Sequence, residues 1–227
     1  MKKAIVIGAS GGIGSALSDA LEQRGYWVAR LHRQSQPPVD FDDEASLASA
    51  AATLADPSPF DLIVVASGIL SAGQGTPEKT FRAITADTFG TYFRVNATGP
   101  ALAARHFLDL LRRDERAVFA FLSARVGSIG DNRLGGWIGY RASKAALNQI
   151  VRTIAIELSR TRKNSIVVAL HPGTVDTGLS KPFQRNLPDG QLLSPADSAE
   201  ALLDVINALG PQHSGNHFDW RGEQVPD

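Results

Sequence analysis

Two side chains with complementary acid–base chemistry stand four residues apart in Trp137-Ile-Gly-Tyr140-Arg-Ala-Ser-Lys144. On a helix, that spacing puts the phenol and the ammonium on one face. Positive charge beside a phenol favours the phenolate, so Lys144 is expected to lower the Tyr140 pKa and make it a proton donor and acceptor near neutrality. Such a pair suits carbonyl chemistry. Because a lone Tyr-x-x-x-Lys is common on exposed helices, the weight rests on what surrounds it.

A second chemical element opens the chain. Ala4 to Ile7 is an apolar run leading into Gly8-Ala-Ser10-Gly11-Gly12-Ile13-Gly14, followed by a helical stretch from Ser15 to Arg24 that ends at Gly25. Glycines allow close backbone approach, and the start of the following helix offers free N–H groups to a pyrophosphate. After the next strand, Tyr26 to Leu31, an acid would bind an adenosine ribose and an arginine would accept an added phosphate. His32 and Arg33 stand there, and no acid follows until Asp40. The expected cofactor is therefore NADP rather than NAD, with Arg33 the main phosphate ligand and Arg30 a weaker one.

The elements that must position these groups alternate along the chain. Asp42 to Leu54 reads as a helix with acids in its first turn. Phe60 to Ala66 reads as a buried strand ending in Ser67-Gly68, and Thr85 to Arg112 as a long helix interrupted near Asn96 and Gly99-Pro100, where proline removes a donor. Ala117 to Leu122 is a strand leading to Ser123 and a glycine-rich loop before the Tyr140 helix, Gly139 to Arg160. Ile166 to Leu170 is the next strand, broken by His171-Pro172-Gly173. Thr174 to Leu193 lacks periodicity and reads as a substrate lid. A helix from Pro195 to Leu209, capped by Ser194, and a strand within Gly215 to Trp220 complete the chain. The alternation predicts a doubly wound α/β sandwich of three layers, with a mostly parallel sheet of about seven strands in a single domain over 1–227. Its ligands are expected beyond the carboxyl ends of the strands.

Composition narrows the function classes. The 227 residues carry 23 basic and 23 acidic side chains, which gives no basic field for nucleic acid or anionic lipid. With no cysteine there is no disulfide, thiol nucleophile or thiolate metal site. The start of the chain reads as a strand rather than a signal peptide, and a cytoplasmic location is expected. No metal is expected, because the histidines are scattered and His213 and His217 flank a glycine instead of sharing a helix face.

Gly8-x3-Gly12-Ile13-Gly14, Asn96, Tyr140-x3-Lys144 and Pro172-Gly173-x3-Thr177, in this order, resemble a short-chain dehydrogenase/reductase across the whole chain. Leu122 to Arg133, Gly135-Gly-Trp137 and Tyr140 to Asn148 are similar to the C-factor and sniffer-type carbonyl reductases. The resemblance implies an oxidoreductase moving hydride between a nicotinamide cofactor and a small carbonyl or alcohol. It makes Tyr140 the acid/base and gives Lys144 the ribose hydroxyls. Asn96 would support a proton-relay water, and Thr177 would touch the carboxamide. Ser10, Gly11, Asp40, Ser67, Gly68, Pro172, Gly173 and Val175 join the expected cofactor contacts. It also implies a homodimer or homotetramer formed through the helices of Thr85–Arg112 and Gly139–Arg160. The apolar face of the second helix, Ala145, Ala146, Leu147, Ile150, Ile154 and Leu158, is more simply explained as core.

Two positions depart from the family pattern. Ala124 replaces the usual hydrogen-bonding serine or threonine, leaving Ser123 as first choice for oxyanion donor and Ser128 as second. Val65-Ala66-Ser67-Gly68 replaces an asparagine-rich run, although Gly68 can still admit the adenine ribose. A substrate pocket is expected around Trp137, Ile138 and the lid. The alternative reading is a catalytically weak, cofactor-binding regulatory or signalling protein.

Overall fold

Continuous apolar runs become the strands of one sheet: β1 (Lys3–Ile7), β2 (Trp27–Leu31), β3 (Leu62–Val65), β4 (Ala117–Leu122), β5 (Ser165–His171) and, at the far edge, His217–Asp219. In the computed structural model, which describes residues 1–72, 76–181, 184 and 191–227, every one of these pairings is parallel. The order is β2-β1-β3-β4-β5 followed by His217–Asp219. Among the described residues the main sheet holds six strands, and a further short pair brings the total to eight, in keeping with the expected seven or so. A separate parallel pair, β6 (Thr174–Val175) with β7 (Leu192–Leu193), closes the base of the expected lid, and the edge strand His217–Asp219 is β8. Half of the lid's remaining stretch, 182–183 and 185–190, lies outside the described residues.

Helices cover both faces, as strands buried on both sides require. On one face α1 (Gly12–Gln23) and α6 (Pro195–Ala208) pack over Val6, Val64, Ala120 and Val168. On the other, α2 (Glu44–Thr53), α4 (Gly99–Phe107) and α5 (Ile138–Leu158) enclose Ile63, Phe119, Phe121 and Val167. The rings of Phe119 and Phe121 lie 4.9 Å apart and are fully buried, each contributing about 1.5–3 kcal/mol of burial. Leu147 of α5 is buried in this core, with Ile154 and Leu158 packed against it, so these three α5 residues serve the fold itself.

Local chemistry sets the helix ends. Glycine at 25, with φ +81°, ends α1 in a Schellman arrangement: Gly25 N–H donates to Glu22 O and Tyr26 N–H to Leu21 O. Ser194 caps α6 by accepting from Asp197 N–H at 3.0 Å, and Asp43 caps α2 through Ala45 N–H. Helix α1 starts three residues before its expected first residue, so Gly12 and Gly14 lie inside its first turn. The long helix expected from Thr85 to Arg112 is divided into α3 (Ala86–Phe93), one π turn (Arg94–Thr98) and α4. Pro100 has no N–H to give to the carbonyl of Asn96, and the wider turn accommodates that missing bond.

Candidate active site

The chain winds from β1 to β2 in one direction and then crosses to β3 on the other side of β1. A crevice opens at such a switch point, beyond the carboxyl ends of the strands. Gly8 follows β1 and Ser67 follows β3, one on each side of it. At Gly8, φ is +91° and a Cβ would lie 2.6 Å from Ser67 Oγ. At Gly14 a Cβ would lie 2.2 Å from Gly8 O, so only glycine allows α1 to start this close to the strand. Ser10, Gly11 and Gly12 remain exposed at the mouth of this turn. Thr177 leans over it, since a Cβ on Gly12 would meet Thr177 Cγ2 at 2.7 Å.

Tyr140, Lys144 and Asn96 gather behind the crevice. Asn96, fully buried in the π turn, accepts from Ile69 N–H at 2.9 Å and donates to Ile69 O at 2.9 Å and Ser143 Oγ at 3.1 Å. A Cβ on Gly68 would stand 3.3 Å from Asn96 Oδ1 and 3.4 Å from Lys144 Nζ, so these two groups meet at that glycine. Lys144 Nζ donates to Leu122 O at 2.8 Å, and burial lowers its pKa to about 8. Tyr140 is 8% exposed, between Tyr92 and Trp137, whose ring centroids each lie 6.4 Å away. Its pKa is raised, first by burial and then by Tyr92. The expectation that Lys144 would lower it is therefore corrected. Desolvation leads the shift, and Lys144, whose bond is to the Leu122 carbonyl, is not among its causes.

A cavity of about 770 Å3 opens on Tyr140. Ile13 reaches it from the glycine turn, Pro172 and Gly173 from the end of β5, Val175 and Thr177 from β6 and the residues after it, and Trp137, Leu70 and Leu179 complete an apolar wall. Ser123 and Ala124 both line it, but the Ser123 hydroxyl donates to Asn148 Oδ1 at 2.6 Å. Ser128 does not reach the cavity; its oxygen accepts from Asp131 N–H at 3.0 Å. At the far end of the crevice Arg33 is exposed, whereas Arg30 is held by Asp19 and Glu22 at 2.6 and 2.8 Å. Asp40 Oδ1 accepts from Asp42 N–H and so shapes the turn before α2.

Several residues that serve the site were not singled out from sequence. Ser143 bridges Asn96 Nδ2 and Tyr140 O, and Asn148 holds Ser123. Both share the α5 face of Tyr140 and Lys144, and helical spacing alone could have marked them. Tyr92 and Glu78, whose carbonyl accepts from Trp137 N–H at 2.6 Å, come from distant segments and carry no such signal. His213 and His217 do not converge: His213 Nδ1 accepts from Gly210 N–H, while His217 is buried beside His171 and Lys144, which help burial lower its pKa to about 3. Among the described residues no group of three His, Cys, Asp or Glu is arranged to hold a metal, and no helix is long and apolar enough to cross a membrane.

A wholly parallel, doubly wound sheet, with a glycine turn at its switch point and a buried tyrosine and lysine behind the crevice, defines a Rossmann-type protein. Residues 2–188 match the family model for short chain dehydrogenases, and the chain belongs to that family. It is 39% identical to C-signal of Myxococcus xanthus over 134 residues, which is 59% of this chain and 75% of that protein. A Burkholderia multivorans short-chain dehydrogenase/reductase crystallised with NADP is 26% identical, with a TM-score of 0.84 over 100% of this chain and 99% of the other. The carbonyl reductase Sniffer of Drosophila melanogaster shares the fold, with a TM-score of 0.85 at 20% identity over 100% of both chains.

Proposed function

We propose that the chain is an NADP-dependent oxidoreductase that interconverts a small carbonyl compound and its alcohol, with Tyr140 as acid/base. The observation that carries this reading is the position of Tyr140, which is buried yet opens onto a cavity shared with Ile13, Thr177 and Gly173. The residues present fit a dinucleotide. The turn at Gly8 and Gly14 excludes side chains, and the first N–H groups of α1 face its open mouth. Gly8 through Gly14 would hold the pyrophosphate, Gly68 the ribose and Arg33 an added phosphate. Lys144 would hold the second ribose, and Val175 and Thr177 the nicotinamide end. NADP in the Burkholderia relative supports the choice of cofactor. When bound, the nicotinamide would supply or accept the hydride.

The chain's own part is the proton. Tyr140 is a neutral phenol near pH 7 like any tyrosine, burial raises its pKa further, and its proton is the one a carbonyl oxygen would receive as its carbon is reduced. Lys144, with a pKa near 8, stays largely an ammonium at that pH and holds positive charge beside the site. Asn96 fixes the segment after β3 against α5 through Ile69 and Ser143. Fluorescence titration with NADPH and NADH tests the cofactor: wild type should favour NADPH, and Arg33→Ala should cut that preference about tenfold, the loss of one charge-assisted bond of roughly 1.4 kcal/mol. Equal binding of the two would remove Arg33 from this role.

One observation favours a second reading. Ala124 offers no hydroxyl, and Ser123 gives its own to Asn148, so the cavity lacks a free hydroxyl beside Tyr140 on this strand end. Tight NADPH binding without turnover over a broad panel of carbonyls and alcohols would identify a cofactor-binding regulatory protein instead.

A further inference from the structure

Three arginines line the cavity against one aspartate, in a chain whose basic and acidic side chains balance at 23 each. The excess is therefore local. Arg125 is neutralised by Asp131 at 2.7 Å, with Asp219 behind it at 3.8 Å. Arg141 gives its hydrogen bonds to two neutral carbonyls, Gly136 O at 3.0 Å and Val126 O at 3.3 Å, and its charge has no carboxylate partner there. Arg133 is exposed at the rim and forms no ion pair among the described residues. The added phosphate placed at Arg33 does not account for these charges, and the glycine turn that would hold the pyrophosphate stands two strand positions from Arg125. Arg33 follows β2 and Arg125 follows β4, three strand positions away, or about 14 Å at the usual spacing between strands. Beside Arg133 the wall is apolar, with Leu134 92% exposed and Trp137 further in.

We propose that the cavity selects carbonyl substrates bearing an anionic group, a carboxylate at the end of an apolar chain, and that Arg133 is the residue that receives it. This rests on the reductase reading above. A guanidinium offers a carboxylate two parallel donors, and the unbalanced Arg141 adds attraction without leaving its carbonyls. The carbonyl end of the substrate lies at Tyr140, its chain along Trp137 and Leu134, and its charge at the rim.

The test compares 6-oxohexanoate with its methyl ester, which share chain and aldehyde, by NADPH oxidation. Wild type should favour the acid by about tenfold in kcat/KM, roughly the worth of one charge-assisted bond. In Arg133→Ala the acid-to-ester ratio should fall close to one, while Arg160→Ala, an exposed arginine outside the cavity, should keep it. Equal rates for acid and ester in the wild type, or an unchanged ratio in R133A, overturn the proposal. Should neither compound be reduced, the broad carbonyl and alcohol panel decides the reductase reading, and the anion site is decided separately by thermal-shift titration with hexanoate and methyl hexanoate. A rise in midpoint for hexanoate alone, lost in R133A, upholds the site, and no such rise removes it.

Discussion

Lys144 is 3% exposed and its pKa falls from 10.5 to about 8 through burial. Linkage turns that shift into a dependence of stability on pH. Between the two values the unfolded chain binds a proton that the folded chain does not, so folding stability rises with pH across this window. The slope is about 1.4 kcal/mol per pH unit, or roughly 3 kcal/mol between pH 8 and 10. Below pH 8 the full cost of burying the ammonium is present. Lys144→Met keeps the length of the side chain and removes the charge, so its stability should lack this rise. Its Leu122 carbonyl loses a donor, at about 1–3 kcal/mol, but that cost shifts the curve without tilting it. Tyr140, raised above its ordinary 10, contributes with the opposite sign only as pH passes 10, so measurements stop there. Urea unfolding of both proteins at pH 7, 8, 9 and 10 gives the two curves. Parallel curves would show that Lys144 holds its proton as easily as a solvated lysine, and the account of its burial would be wrong.

Tyr140→Phe keeps the ring between Tyr92 and Trp137 and removes the proton; turnover should drop by about 10²–10⁴-fold while NADPH binding, followed by fluorescence, persists. Gly8→Ala forces a side chain into a φ of +91° against Ser67, and should cost about 1–3 kcal/mol in urea unfolding together with cofactor affinity. Asn96→Ala leaves the half-buried backbone groups of Ile69 without their partner and should lower stability by about 1–3 kcal/mol; a loss under about 0.5 kcal/mol would show that the π turn needs no brace. His171 and His217 have pKa values lowered to about 4 and 3 by burial, so stability should fall as pH drops from 6.5 toward 4, when the unfolded chain gains their protons first. His217→Gln should flatten that acid limb, and an unchanged limb would show that His217 is not buried as a neutral ring.

The alternation of apolar runs and glycine-punctuated helices made the parallel sheet and its ligand edge legible, because strands buried on both faces admit little but aliphatic and aromatic residues. Ser194 as a cap and Gly25 as a helix stop were legible for the same local reason. Tyr140 and Lys144 could be paired by spacing, but the direction of the tyrosine shift could not, because it depends on how much of α3 and α5 closes over the ring. Likewise the interruption near Pro100 was readable, while its form as a π turn reflects the demands of Asn96 on a neighbouring strand end. Serine choice at 123 depended on Asn148, eight residues beyond Tyr140, whose side chain captures the hydroxyl.

Trp137 stands in the left-handed region at φ 52°, after two glycines of the same hand, and begins α5 while its ring lies against Tyr140. A bulky residue is held in that conformation only by what surrounds it. Reshaping this position to admit a larger substrate would therefore release the backbone that sets the start of the Tyr140 helix. The pocket can be retailored at Leu134 and Leu179, which are exposed, whereas a selectivity gained at Trp137 would come at the expense of catalytic rate.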